Sequence, residues 1–286
     1  MSSSENSTFR NWLLYGLLAV LLGVAVWLAS HVPTADWYAT YDPAVRGIFK
    51  GQSPYEQPLY VNPPWAVVLL APLALFPPYL ARGLILVASA LAIFYTSWRL
   101  RAPRLAVIAL FLSPTALGSL LAGNLDALVQ LGLFLPPAWG LLILMIKPQI
   151  GFGVALYYLT EAWRNNKFVG ILRMFAPLII ACTMAAIVFP VWVERIIGKP
   201  ANVWNRSLFP YGLPIGIFFM YLAITRRNVF FSLAAAPFFA PYLTFYTYLM
   251  VQIALLHGDV EKVIRRDVLQ IIMCVFLWVI MLVFRL

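Results

Sequence analysis

Charge is scarce in this chain, and negative charge scarcer still: 20 lysines and arginines stand against 10 aspartates and glutamates in 286 residues, 10% charged in all. Soluble globular domains carry about 25% charged residues, so that class is excluded. The 63% hydrophobic content and a mean hydropathy of +0.87 point instead to a polytopic membrane protein. Cysteine is almost missing: Cys182 and Cys274 each lie in an apolar run, which leaves no disulfide framework and no thiolate metal site. Glycine-rich phosphate loops, metal-ligand spacings and nucleophile triads are also missing, which disfavours nucleotide hydrolysis and zinc chemistry. No acidic pair is spaced to hold a divalent ion, so neither a metal nor another cofactor is expected. No soluble domain, internal repeat or low-complexity segment interrupts the apolar pattern.

The net charge of +10 does not mark a nucleic-acid binder. The bases fall in short clusters between apolar runs: Arg99, Arg101 and Arg104; Arg164 and Lys167; Arg226 and Arg227; and the stretch from Gly258 to Asp267. The positive-inside rule accounts for them. With Arg10 inside, residues 1–11 read as a cytoplasmic tail and 12–30 as an uncleaved signal anchor running outward. Residues 12–286 then form a single transmembrane domain of about eleven helices, several short and proline-broken, in the plasma (inner) membrane. Its first extracytoplasmic loop covers 31–82 and its second 191–207. Within the first loop, 65–76 offers about a dozen apolar residues before Pro77-Pro78, too few to cross at about 1.5 Å per residue, so this run reads as re-entrant or interfacial.

The longest polar interruption, 31–64, is the expected site. Asp42 before Pro43 is a good helix start. Val45, Ile48 and Phe49 then fall on one face and Asp42, Arg46 and Lys50 on the other, the pattern of a helix lying in the membrane surface, with Gly51 as its stop. Asp42 thus has a capping role, whereas Asp36 has no visible structural one and is the better candidate for chemistry. Ionisable residues in apolar runs cost about 2.5–3.5 kcal/mol each on insertion scales, so Arg82, Asp126 and Lys147 each call for a partner or a function. All three fall on the outer half, near the level of Asp36. Lys147 either pairs with Asp126 or binds phosphate. Arg195, Lys199 and Arg206 in the second loop are either simply solvated or a cationic rim for a phosphorylated lipid.

The order Asp36-Trp37-Tyr38 with Tyr41, then Lys50-Gly51-Gln52-Ser53-Pro54-Tyr55, Tyr60-Val61-Asn62-Pro63-Pro64 and Ala71-Pro72-Leu73, resembles the first outer loop of glycosyltransferase family 87. Those are integral membrane enzymes of the GT-C fold that transfer mannose or a related sugar from a polyprenyl-phosphate donor. Gly123-Asn124-Leu125 resembles the family's Gly-Gln-x-Asn element, and Ile146-Lys147-Pro148 its later Lys-Pro element; the likeness runs over about residues 12–165. Asn124 stands where a glutamine is usual, and Pro241-Tyr242 where a late His-Tyr would be expected. The resemblance implies an all-α, GT-C-like bundle with Asp36 as general base for inverting transfer to a hydroxyl of a glycan, glycolipid or protein acceptor at the extracytoplasmic face. Lys147, Arg82 and Arg206 would meet the phosphate charge, and Asp42, Tyr41, Tyr55, Tyr60, Asn124, Asp126 and Tyr242 complete the expected substrate-binding set. Two other readings stay open: a transporter or flippase with Asp126 and Lys147 in its substrate path, and a catalytically degenerate relative serving as a membrane subunit of a larger complex.

Overall fold

The computed structural model describes residues 36–197, 204–258 and 265–284, preceded by Val20, 23–25, Trp27, Leu28 and His31. The expected cytoplasmic tail, most of the expected signal anchor and Lys199 lie outside them. Among the described residues all regular structure is helical and no strand occurs. Three helices among the described residues are long and apolar enough to cross a membrane: Pro78–Arg99, Pro148–Val188 and Arg266–Val283. A bent pair, Arg104–Phe111 with Pro114–Ala122, makes a fourth if its two halves, inclined by 55°, count as one span. The chain is therefore consistent with a helical membrane protein.

Among the described residues fewer than the expected eleven spans are shown, and the prolines explain why several runs are short. Pro63, Pro77, Pro103 and Pro136 each sit at ψ between 131° and 151° immediately before a helix begins. A proline removes an amide donor and biases the residue before it out of the helical region, so each one ends what precedes it. The remaining apolar sequence is cut into shorter pieces, Pro64–Leu75, Leu213–Arg226, Val229–Phe239 and Phe245–Leu255. The first of these is the run expected to be too short to cross, and it is itself divided into Pro64–Leu70 and a 3-10 turn, Ala71–Leu75.

Two reversals set the plan of the bundle. Asp126–Val129 continues into the 3-10 segment Gln130–Phe134, turns at Leu135, and returns as Pro137–Leu144. A Cβ placed on Gly132 would lie 2.5 Å from the carbonyl oxygen of Gly140, so the two legs meet backbone to backbone and no side chain fits between them. The second reversal falls in the 41-residue helix Pro148–Val188. Asn166 (φ −137°, ψ 23°) and Lys167 (φ 46°, ψ −130°) leave helical geometry and divide it into two rods, at the Glu161 to Lys167 cluster where the charge pattern placed a turn. The second rod carries Ile179, Ile180, Ile187 and Val188 exposed, a surface suited to lipid rather than water.

The first loop folds inward more than its amphipathic pattern implied. A π-helical turn, Trp37–Tyr41, runs directly into the helix Asp42–Ile48, so Asp42 caps nothing. Its carboxylate instead accepts two bonds from Arg46 Nε, at 2.9 and 3.1 Å. Arg46 goes on to donate to the carbonyls of Ala74 (3.0 Å) and Phe76 (2.5 Å), which the end of the 3-10 turn leaves without helical partners. The charged face expected to lie in the membrane surface is thus bound to the neighbouring turn, and on the face expected to be greasy Val45 is buried while Phe49 is exposed. Gly51, at φ +74°, does end the helix. The second loop lies over the first: Trp192 packs edge-on against Trp65 at 5.9 Å, and Phe189 against Tyr55 at 6.0 Å.

Candidate functional site

Four interruptions of helical structure converge on one polar centre. The first is the π turn, a rare element often found at functional sites, which starts from Asp36 and carries Tyr41. The second is the exit of the helix Pro114–Ala122. There Gly123 adopts φ +64°, ψ +37°, and Asn124 N donates to Ser119 O, closing a left-handed helix stop. A side chain at position 123 would also strike Trp37, whose Cβ would be 2.9 Å from the new atom, so glycine is required twice over. The third is Lys147, held extended by the proline that follows it. The fourth is the 3-10 turn Phe245–Tyr248.

Asn124 ties these pieces together. Its Oδ1 accepts the amide of Asp126 at 2.8 Å, an Asx turn that starts the first leg of the 132/140 hairpin. Its Nδ2 donates to Asp36 Oδ2, and Tyr246 Oη donates to the same oxygen. Nδ2 also lies 3.1 Å from Tyr246 Oη. With both donors on Oδ2, Asp36 Oδ1 takes no bond among the described residues, and the side chain is half-buried rather than sealed. An asparagine closes an Asx turn through one methylene; the longer glutamine of the resembled motif would not close it in the same way.

Below Asp36 lies a buried ion pair. Asp126, fully buried, has Lys147 Nζ 3.4 Å from its Oδ1 and receives Thr247 Oγ1 on Oδ2 at 2.7 Å. The hairpin brings the two together: Asp126 begins its first leg and Lys147 follows its second. Lys147 Nζ also stands 5.6 Å from the centre of the Tyr41 ring. Burial pushes the Tyr41 phenol up to about 12, with the Lys147 ammonium pulling the other way, so the phenol keeps its proton at neutral pH.

Asp36, Tyr41, Asn124, Asp126 and Lys147, separated widely in sequence, are therefore neighbours, and Lys147 takes the pairing alternative. The other expected site residues go elsewhere. Arg82 is buried with its guanidinium donating to Leu28 O (3.2 Å) and Leu121 O (2.6 Å) and lying 5.6 Å from the Tyr38 ring, which makes it a clamp on backbone carbonyls. Tyr55 and Tyr60 are buried in the loop, donating to Asn62 O and Pro63 O and packing edge-on at 5.5 Å. Asp42 pairs with Arg46. Arg206 flanks the 3-10 turn: its amide donates to Leu243 O at 2.8 Å and its carbonyl accepts Tyr248 Oη at 3.0 Å. The late aromatic bonded to Asp36 is Tyr246, not Tyr242.

Tyr246 and Thr247 are the residues that the sequence reading missed. The signal was the run Thr244-Phe245-Tyr246-Thr247-Tyr248, four hydroxyls in five residues inside an otherwise apolar stretch. What the arrangement can do is hold one carboxylate oriented with an oxygen open, beside a buried ion pair. Comparison with protein-family models, with curated proteins and with solved structures found no match to this chain.

Proposed function

We propose that the chain is a membrane glycosyltransferase resembling family 87, moving a hexose, with mannose the first to try, from a polyprenyl-phosphate donor to an acceptor hydroxyl. Asp36 is the general base. Its open Oδ1 takes the proton of the acceptor hydroxyl as that oxygen attacks the anomeric carbon. The bond from that carbon to the phosphate oxygen breaks, and polyprenyl phosphate leaves with the electron pair, so the anomeric centre inverts. General-base help of this kind is worth about 100-fold to 10,000-fold. Lys147 is already paired with Asp126, so the cation proposed to meet the departing phosphate is Arg206, which flanks the 3-10 turn. The observation that carries the reading is the placement of Asp36: one oxygen doubly bonded by Asn124 and Tyr246, the other open, at the mouth of the buried Asp126–Lys147 pair.

In this proposal the site faces the extracytoplasmic side of the plasma (inner) membrane with the amino terminus cytoplasmic. What supports the sidedness is that the two polar loops pack on each other, while Arg99 lies 5.4 Å from the ring of Phe134, at the far turn of the hairpin whose other end is Asp126 and Lys147. A second reading, a catalytically silent GT-C-like subunit of a membrane complex, is favoured by one fact: two cations proposed for the phosphate are already engaged, Lys147 by Asp126 and Arg82 by two carbonyls. The discriminating experiment is transfer of labelled sugar from a polyprenyl-phosphate donor by the purified chain. Turnover supports the enzyme; stable co-purification with other membrane chains and no turnover supports the subunit.

A further inference from the structure

The end of the bundle remote from Asp36 gathers cations that the sequence spreads over several turns. Arg266 Nη1 donates to Leu100 O and Leu256 O, each at 3.0 Å, and Arg164 Nη1 to Ile224 O at 3.3 Å, so the clusters meet in pairs. A shared peculiarity runs through them. Among the described residues the non-glycine positions with positive φ are Arg101 (50°), Lys167 (46°) and Arg227 (49°), all cationic and all at this end. Glycine or asparagine is the easier residue in that region of backbone space. The negative end of a helix dipole favours a cation anywhere in the last turn, so it does not by itself account for a base at the left-handed position.

Lys167 and Arg227 terminate the same helices that enclose an open groove of about 510 Å³, lined by Leu159, Thr160, Trp163, Arg164, Ile171 and Ile224. Leu159 to Arg164 come from the first rod of Pro148–Val188, Ile171 from the second, and Ile224 from Leu213–Arg226. Arg164 lines it, exposed and bound to Glu161 at 2.9 Å, and Lys167, Arg226 and Arg227 are exposed at the ends of the helices that enclose it. Trp163 is exposed on its edge, and below it the second rod presents exposed Phe168, Val169 and Leu172. Cations above, an indole at the boundary and aliphatic walls beneath match the layering of a lipid from headgroup to chain.

We propose that this groove binds an anionic glycerophospholipid of the surrounding bilayer, with its phosphate among Arg164, Lys167, Arg226 and Arg227 and one acyl chain along Leu159, Ile171 and Ile224. The site is independent of any chemistry at Asp36. The aliphatic walls set the occupant apart from a soluble anion, which would use the cations alone.

The test is thermal unfolding and native mass spectrometry of the delipidated full chain in detergent, with phosphatidylglycerol, phosphatidylcholine or inorganic phosphate added. Wild type should unfold a few degrees higher with phosphatidylglycerol than with phosphatidylcholine or phosphate and should retain the anionic lipid in the gas phase. The double variant Lys167→Gly, Arg227→Gly relieves both left-handed positions, so without lipid it should unfold no lower than wild type. Its phosphatidylglycerol affinity should fall about 30-fold for the two charges removed. Arg164→Gln with Arg226→Gln, which leaves those backbone positions untouched, should lose the lipid preference as well. Equal stabilisation by phosphatidylcholine, the same shift from inorganic phosphate, or an undiminished phosphatidylglycerol preference in either double variant would overturn the proposal.

Discussion

Two ion pairs in this molecule follow opposite rules. Asp42 and Arg46 are one helical turn apart, part-exposed (12% and 30% of the side chains) and joined at 2.9 Å. Asp126 and Lys147 come from the two ends of a hairpin, are almost sealed (0% and 8%) and stand 3.4 Å apart. The first is a local tether that fastens the helix Asp42–Ile48 to the carbonyls of Ala74 and Phe76. The second requires the whole hairpin, an Asx turn and Thr247 to exist at all. Pairs held open to solvent contribute little, because water competes for both ions. Buried pairs contribute little net stability but cannot be broken by halves, because the survivor is left as a bare charge in an apolar interior. The comparison separates a fastening that can be lost from a centre that cannot.

Breaking the buried pair should have the largest effect. Asp126→Asn leaves Lys147 uncompensated and should destabilise the protein by about 3–5 kcal/mol, whereas Asp126→Asn combined with Lys147→Met should recover most of the loss in thermal or denaturant unfolding. Removing the phenol that donates to Asp36 comes next. Tyr246→Phe should lower turnover by about 1.5–3 kcal/mol of activation free energy, the worth of a hydrogen bond to a charged group, with less change in the donor KM. Gly132→Ala forces apart the hairpin legs that set the Asp126–Lys147 distance, and about 1–3 kcal/mol of unfolding stability should go with it. The smallest change belongs to the exposed pair: Arg46→Ala should cost about 0.2–1 kcal/mol for the ion pair, plus the two carbonyl bonds that water can replace. A stability loss for Arg46→Ala as large as that for Asp126→Asn would erase the distinction.

The same contrast explains how much could be read without a structure. Asp126 and Lys147 were visible as misplaced charges in apolar runs, Asp36 as a carboxylate with no structural duty, and the turn at Glu161 to Lys167 as a charge cluster. All of these are one-dimensional signals. Arg82 was visible as a misplaced charge, but its bonds to the carbonyls of Leu28 and Leu121 are ones that no side-chain pattern announces. Asp42 looked like a cap because Asp-Pro normally begins a helix; here the chain arrives already wound in the π turn, so the carboxylate is released to Arg46. Tyr246 was hidden in an apolar stretch, 210 residues from the carboxylate to which it donates. Fewer spans than the expected eleven are shown among the described residues, because prolines cut several apolar runs into short pieces.

The most direct test sets two aspartates six residues apart against each other in one assay. Transfer of labelled sugar from a polyprenyl-phosphate donor should fall by about 100-fold to 10,000-fold in Asp36→Asn, the range for loss of a general base, and should persist in Asp42→Asn, whose carboxylate only fastens Arg46. Full turnover by Asp36→Asn in a preparation where wild type is active would remove this carboxylate from the chemistry and contradict the account at its centre.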